Sequence, residues 1–523
     1  MKKHHFARNV VVIGAATVFS RVLGVVREIF VFKFFDPWIT DAFFVALRIP
    51  STLRRLFAEG ALSSGVIPVF SEWLKNKTKK EQEELAGSLF IVFTGILSLV
   101  TLAGVVFSPL IVRIFAMGFV HDPAKMKLAV GLTRALFPFL IFIGLASLFA
   151  GILNAKKHFF LPALGPAVQN IAFIAAAVFI CPVLGPLQTD MVYGLAIGVI
   201  AGVILQVLIQ IPAFRFSDVR FSFGNPLKNK GVKKVLLLMG PAAWGLGIMQ
   251  INLLVDQFLA SWLGDGPISY LYAATRLYQL PIGIFAVSVS TVAFAHFSEL
   301  AAEKNIAGLR NSLVYTLRQI IFVMLCSGFG LIALGVPIIK LLFEYGRFSL
   351  NGSTMPTYFA LVAYSVGMLA YGSCIILVRV YYSMKDMVTP VRCACISLIS
   401  NVVLNLILIV PMSYAGLALA TSISAFINMF LLFYKIREKI GRIDYPSMLK
   451  YVYKNIILGS LMGLSGIAMY KVLVRFESGV TNIMVKFINV FLPFGVALAV
   501  VFLLARVMRI KELEDVIKSL RRK

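Results

Sequence analysis

Charge is scarce in this chain. Only 14% of its 523 residues are Asp, Glu, Lys or Arg, against about a quarter in a soluble domain. Hydrophobic residues make up 59%, and the mean hydropathy is +0.90. So little charge cannot cover a soluble particle of this size, which excludes a soluble enzyme, a secreted disulfide scaffold and a nucleic-acid-binding domain. Cysteine is sparse as well. Cys181, Cys326, Cys374, Cys393 and Cys395 show no CxxC and no metal-ligand spacing, so packing is expected of them rather than bridging or ligation. The five histidines form no HExxH, and no GxxxxGK[ST] loop occurs, so neither a zinc site nor ATP hydrolysis is expected. Acidic residues are few, 23 against 50 Lys and Arg, which leaves a net charge of +27.

What is abundant is apolar sequence, and roughly 20 such residues span a bilayer. Fourteen segments qualify, near 9–34, 41–73, 85–112, 128–154, 159–182, 190–214, 233–263, 268–297, 312–342, 358–383, 389–410, 414–434, 452–473 and 482–505. The fold class is therefore an all-α polytopic membrane protein. With a cytoplasmic N-terminus, the cytoplasmic stretches carry 31 Lys and Arg and the seven opposite loops carry five, Arg113, Lys125, Lys127, Arg347 and Arg475. That asymmetry is the positive-inside pattern; it places both termini in the cytoplasm and removes the need for a nucleic-acid partner. Lys2, Lys3 and Arg8 before an apolar run resemble a signal peptide, but Arg21 and Arg27 fall where cleavage would follow, so a retained first span is expected. Cations at span ends, among them Lys33, Lys340 and Lys486, are expected to reach the interface on their long stems.

An internal repeat divides the chain. Phe43-Phe-Val-Ala-Leu-Arg48 returns as Leu271-Tyr-Ala-Ala-Thr-Arg276, Phe70-Ser-Glu72 as Phe297-Ser-Glu299, and Lys157 with Pro162 as Lys385 with Pro390, at offsets of 227 or 228. Gly194-Leu-Ala196 recurs slightly early as Gly416-Leu-Ala418. Two six-helix lobes follow, 1–226 and 227–445, with 446–523 adding two helices and a basic tail. An even number of spans per copy relates the copies by an axis along the membrane normal, and transporters so built hold substrate between the halves.

Charge inside the apolar segments is the functional signal, because an intramembrane charge costs several kcal/mol unless paired or wet. Segment 9–34 contains Ser20-Arg21-Val-Leu-Gly24-Val-Val-Arg27-Glu28, which puts Arg21 and Arg27 on one helix face. Segment 41–73 carries Asp41, Arg48, Arg54, Arg55 and Glu59, and Pro50 and Gly60 should break or bend it. Glu28, Asp41 and Glu59 cancel at most three of these five arginines, and Arg276 arrives from the other half. Guanidinium groups match phosphate oxygens two at a time, so a polyanionic substrate, a phosphate ester, is expected. In the second half Asp256 lies mid-span in Gln250-Ile-Asn-Leu-Leu-Val-Asp256, with Asn401 and Asn405 four apart on one segment and Thr421 on the next. Two readings stay open: a hard monovalent cation held by oxygens, or a polar contact between helices.

The arginine motifs, with Arg54-Arg-Leu-Phe-Ala-Glu-Gly-Ala61 and Arg276-Leu-Tyr-Gln-Leu-Pro-Ile-Gly-Ile-Phe285, resemble the MurJ (MviN) family of lipid II flippases across essentially the whole chain. That family lies within the multidrug, oligosaccharidyl-lipid and polysaccharide exporter superfamily. The resemblance implies lipid II as substrate, moved outward across a bacterial cytoplasmic membrane for peptidoglycan synthesis by alternating access. It implies Arg21, Arg27, Arg54 and Arg276, with Ser20 and Arg48, as substrate contacts. It also implies Glu28, Asp41 and Glu59 as acidic residues of the cavity and its gate. Glu28 stands where the family usually has Asp. The resemblance favours sodium at Asp256, Asn401, Asn405, Thr421 and the Leu417 carbonyl, although Asn405 replaces a carboxylate found in some members. No other cofactor is expected, nor a catalytic residue; the expected partners are lipid II and membrane lipids, and the expected state is a monomer. The alternatives are an exporter of another polyprenyl-pyrophosphate glycan lipid, a multidrug exporter, or a membrane enzyme on such lipids. An arginine-lined cavity opposes cationic drugs, and no acidic metal-binding motif supports the enzyme.

Overall fold

The computed structural model describes residues 3–56, 61–216, 220–441, 444–475 and 482–507. The first helices are α1 (Lys3–Phe34), α2 (Pro37–Arg54), α3 (Ala61–Asn76), α4 (Lys79–Val106), α5 (Ser108–Phe115), α6 (Pro123–Leu136), α7 (Phe139–Ala155), α8 (Phe160–Ala175), α9 (Gln188–Leu208), α10 (Ile211–Phe216) and α11 (Lys230–Ala260). They are followed by α12 (Pro267–Pro281), α13 (Val287–Ala302), α14 (Ile306–Leu342), α15 (Arg347–Leu350), α16 (Thr354–Val366), α17 (Met368–Ser383), α18 (Val388–Ile440), α19 (Tyr445–Arg475) and α20 (Ile483–Val507). No strand occurs among the described residues. Among the described residues, nine helical runs, some of them joining consecutive elements, are long and apolar enough to cross a membrane, ten when the bent pair α16–α17 counts as one span. The 53 residues of α18 extend about 80 Å at 1.5 Å each, more than twice a bilayer core. Ser413, at φ 52 and ψ −135, kinks that run two residues after Pro411, which is where the boundary between segments 389–410 and 414–434 is expected. The three other expected segments, 9–34, 41–73 and 233–263, coincide with α1, with α2 and α3, and with α11. Each of these includes side chains outside the described set.

Two compact units are formed, one from Met1–Ser269 with Gly346–Phe348, the other from Tyr270–Tyr345 with Ser349–Lys523. The same turn chemistry recurs in both. After α7, Lys157 N donates to Asn154 O and His158 N to Leu153 O; after α17, Lys385 N donates to Tyr382 O and Asp386 N to Tyr381 O. These are paired Schellman closures in which a lysine occupies the left-handed position, φ 65 at Lys157 and φ 60 at Lys385. Thr78 caps α4 through Glu81 N, and Asn305, 227 residues later, caps α14 through Gly308 N. Matching backbone geometry at the offsets of the sequence motifs supports a duplicated unit.

In the first unit the core lies where α3, α4, α7, α10 and α11 meet. Val66, Phe70, Leu89, Phe149, Phe214, Val235 and Met239 are buried there. Gly65 admits this packing, since a Cβ there would lie 2.9 Å from Val235 O. Lys234 Nζ also pairs with Glu72 at 2.6 Å. Helix α11, first of the second repeat by sequence, is thus built into the first compact body, and the repeat boundary near 226 does not coincide with the unit boundary at Ser269. A strap at 220–223 lies on α4: Ser222 N donates to Glu83 O, and Phe221 packs with Phe90, Phe149 and Phe214 at centroid distances of 5.3–5.9 Å. In the second unit α13, α14, α17, α18 and α19 share a core that includes Phe297, Leu317, Ile376, Tyr381 and Leu432, and Tyr381 donates to Leu432 O at 2.8 Å. Lys486 does not reach solvent as expected. It is 9% exposed and donates to Lys340 O and Glu344 O, closing the end of α14 from α20.

Candidate functional site

The expected arginine face begins on α1. Arg27 Nη2 meets Glu28 Oε1 at 2.5 Å, its Nη1 donates to Asn170 Oδ1 at 3.3 Å, and its guanidinium stacks 5.2 Å from the Phe173 centroid. Asn170 in turn donates to Ser20 O at 2.9 Å. Phe173 also packs on Phe43 of α2. Glu28 is 2% exposed; α8 and Glu28 together fix the Arg27 head, while Arg21, two turns earlier, is exposed. The side chain most in need of a counter-ion has one, and the exposed one is open to a ligand.

On α2 the helix continues through Pro50 to Arg54 rather than breaking there. A proline in a helix forfeits one bond to the preceding turn, and the flanking turns hold. Arg55 and Leu56 then begin a wider π turn. Glu59 and Gly60 lie outside the described residues. Arg48 Nη1 donates to Leu253 O at 3.2 Å, and Arg55 Nη1 to Gln250 Oε1 at 3.1 Å, so both reach α11. Arg54 lies 5.9 Å from the Phe139 centroid. In the second unit Arg276 Nη2 donates to the Tyr272 hydroxyl one turn earlier, with the guanidinium 4.6 Å from that ring centroid. Each of these contacts orients a guanidinium by its face or one edge.

Asp41, expected to be a cavity or gate carboxylate, is wholly buried and accepts from four donors. Gly266 N approaches at 2.7 Å, Ser269 N at 2.8 Å, Ser269 Oγ at 2.6 Å and Lys125 Nζ at 3.2 Å. Thr40 Oγ1 lies 2.6 Å from the same Ser269 hydroxyl. Lys125, 3% exposed, also contacts the half-exposed Asp265 at 2.8 Å and sits 4.6 Å from the Phe119 centroid. Next to it Asp122 accepts from Trp38 Nε1 at 2.6 Å and from Lys125 N at 3.0 Å. Burial raises the Asp122 pKa, but these hydrogen bonds, that of Ala124 N and the Lys125 charge bring it below its ordinary value. The result is a latch joining α2, α6 and the turn after α11. Lys125 and Ser269 were not among the expected site residues. Lys125 reads as one more loop cation beside Lys127, although Asp122-Pro123 is a legible helix start.

The expected cation ligands divide between the units. Asp256, 5% exposed, belongs to the first; Asn401, Asn405, Leu417 and Thr421 belong to the second. Within the second, Asn405 Nδ2 donates to Asn401 Oδ1 at 2.9 Å, Asn401 Nδ2 to Thr421 Oγ1 at 3.4 Å and Thr421 Oγ1 to Leu417 O at 2.9 Å. Four neutral oxygen-bearing groups on α18 are thereby linked in a buried neighbourhood; such oxygens are the type a hard cation takes, and Asn401 Oδ1, Thr421 Oγ1 and Leu417 O accept hydrogen bonds within the network. No group of three or more His, Cys, Asp or Glu suited to a metal occurs among the described residues.

A model of the family described as lipid II flippase MurJ matches residues 31–489. The probable lipid II flippase MurJ of Vibrio cholerae serotype O1 is 37% identical over 435 residues, 81% of each chain. The lipid II flippase MurJ of Burkholderia cenocepacia is 32% identical over 465 residues, 88% of this chain and 89% of its own. Among solved structures, a lipid II flippase MurJ in an inward closed conformation aligns with a TM-score of 0.75 at 29% identity, over 95% of this chain and 99% of that one. An inward-facing multidrug resistance MATE family transporter of the MOP superfamily aligns with a TM-score of 0.69 at 15% identity, over 82% and 95%, a likeness of fold alone.

Proposed function

The chain belongs to the lipid II flippase MurJ family, and from that premise we propose that it moves lipid II from the cytoplasmic to the outer leaflet for peptidoglycan synthesis. The match over residues 31–489 carries the reading. The chemistry of the arginines supports it. Lipid II presents a pyrophosphate between a sugar–peptide head and a polyprenyl tail, and planar guanidiniums bind such oxygens bidentately. Arg21, Arg27, Arg48 and Arg54, with Ser20, receive the pyrophosphate from the first repeat, and Arg276 receives it from the second. Glu28 keeps Arg27 from collapsing onto other partners. Glu59 is the third acidic residue of this set by sequence, and the Asp41 latch closes the outward side until release.

The protein works by alternating access as a monomer in the cytoplasmic membrane, with both termini in the cytoplasm, and performs no covalent chemistry. The head crosses through the cationic cavity while the tail stays in lipid along the two helices outside the repeat. Each net negative charge carried outward gains about 2.3 kcal/mol per 100 mV with the interior negative. Asp256, Asn401, Asn405, Thr421 and the Leu417 carbonyl would hold sodium, whose binding would bias the conformational equilibrium by its differential affinity. The direct test is depletion of this chain where it is the sole flippase. Lipid II should accumulate where an external probe cannot reach it; an unchanged externally accessible pool overturns the proposal.

A further inference from the structure

Helices α12 and α13 are joined by a π turn at Ile282–Ala286 into one bent span, Pro267–Ala302. Allowing for the extra residue that a π turn inserts, Arg276, Gln279, Ser288, Thr291, Ala295 and Glu299 follow one another along one side, and all except the half-buried Arg276 are exposed. Hydrocarbon would penalise the amide, hydroxyl and carboxylate groups of this stripe, which favours water along it although the exposed Val292 borders it. At its far end, 18 residues and about 27 Å of helix beyond Arg276, stands Phe294. The guanidinium of Arg379, reaching over from α17, lies 5.3 Å from that ring centroid.

Arg379 is half-buried, one turn before the end of α17. Among the described residues it has neither a hydrogen-bond acceptor nor an ion-pair partner. Two acidic groups of this end of the unit pair with other cations, Asp386 with Lys439 at 2.8 Å and Glu438 with Lys435 at 3.0 Å, and the exposed Glu299 lies 3.8 Å from His296. Other arginines within spans differ. Arg134 donates to Ser108 at 3.0 Å and Arg318 to Ser447 at 2.8 Å. The repeat position in the first unit, 228 residues earlier, is the buried Gly151, so this cation is an addition rather than an inherited packing feature. Stacking occupies a face of the guanidinium, and its five N–H donors lie in its plane.

We propose that Arg379 is a second phosphate-binding arginine of this unit, which meets the pyrophosphate of the lipid substrate at the cytoplasmic mouth and passes it along the polar stripe to Arg276. The inference rests on the lipid-transport reading above. Its test compares binding of a polyprenyl pyrophosphate and of the uncharged polyprenol of equal length to the purified full chain, by native mass spectrometry. Arg379→Met keeps the apolar stem and should weaken pyrophosphate binding about tenfold or more, the loss of a charge-assisted contact, with polyprenol binding unchanged. Arg379→Lys retains the charge, which guards against misfolding, and should still bind the pyrophosphate severalfold more weakly than wild type. Wild-type affinity in either folded variant overturns the assignment of Arg379 alone. A wild-type protein that does not distinguish the two lipids overturns the transport reading itself.

Discussion

Replacing Asp41 by asparagine tests the latch with little change in volume. The carboxylate accepts from Gly266 N, Ser269 N, Ser269 Oγ and Lys125 Nζ. An amide can accept only at Oδ1, and its Nδ2 would turn hydrogens toward Gly266 N and Lys125 Nζ, which both use Oδ2 now. The Gly266 amide loses its acceptor, and Lys125, 3% exposed, loses its buried counter-ion. Removing one partner of a buried pair costs about 3–5 kcal/mol. Asp265, 59% exposed, still meets the ammonium, which argues for the lower end. About 3 kcal/mol is roughly two decades in an equilibrium constant, so amide hydrogen exchange at Gly266 and Ser269 should accelerate about a hundredfold. In the double variant Asp41→Asn with Lys125→Met, part of the loss should return, because removing both charges spares the stranded ammonium. Exchange within about threefold of wild type in Asp41→Asn, beyond the scatter of independent sites, would refute the latch.

Arg276→Ala should abolish complementation of a flippase-deficient strain while the protein still reaches the membrane, and Arg276→Lys should rescue poorly because a point charge lacks the planar fork; full activity of the alanine variant rejects the role. Sodium should shift the inward/outward distribution of the purified protein, read by distance labels across the outer gate, and Asp256→Asn should remove the shift; a wild-type protein indifferent to sodium makes Asp256 a structural polar contact. The Asp122 carboxyl titrates below its ordinary 3.8, so its stabilising contribution is complete above that value and is lost as pH falls through the lower, folded value. The unfolding midpoint relative to Asp122→Asn should therefore be constant from pH 5 to 8 and should converge with it in stronger acid. Lys157→Gly and Lys385→Gly should each stabilise by about 1 kcal/mol, the cost a side chain pays at positive φ, with alanine giving no such gain; equal denaturation midpoints for Gly and Ala would disprove this.

Residues whose constraint is local were the legible ones. The i, i+6 spacing of Arg21 and Arg27 and the adjacency of Glu28 follow from helical geometry, and the ion pair was foreseeable on α1 itself. The correspondence of Lys157 with Lys385 was visible because turn chemistry is encoded within five residues, as at Asn154–His158. What the chain order concealed were partners more than 80 residues apart. Lys125 reads as a loop cation, yet it lies beneath Phe119 because Asp41 and Asp265 converge on it from two other elements. Lys486 reads as a residue that stretches toward water, yet the last carbonyls of α14 were nearer. The apolar pattern of α11 states that it is a helix and says nothing about which repeat will bury Val235 and Met239, since both faces of that choice are equally apolar.

The seating of α11 imposes an order on how the protein is made. A ribosome delivers the first repeat complete at about residue 226, but the Phe-rich core of that unit still lacks Val232, Val235 and Met239, and Asp41 has yet to meet Gly266 and Ser269. At about 5–20 residues per second the missing stretch to Ser269 takes about 2–9 s to synthesise. During that interval the stretch from α1 to α10 has an uncovered core and a buried-type carboxylate lacking its donors. Completion of the first compact unit thus waits for α11, a helix that follows the repeat boundary expected near 226.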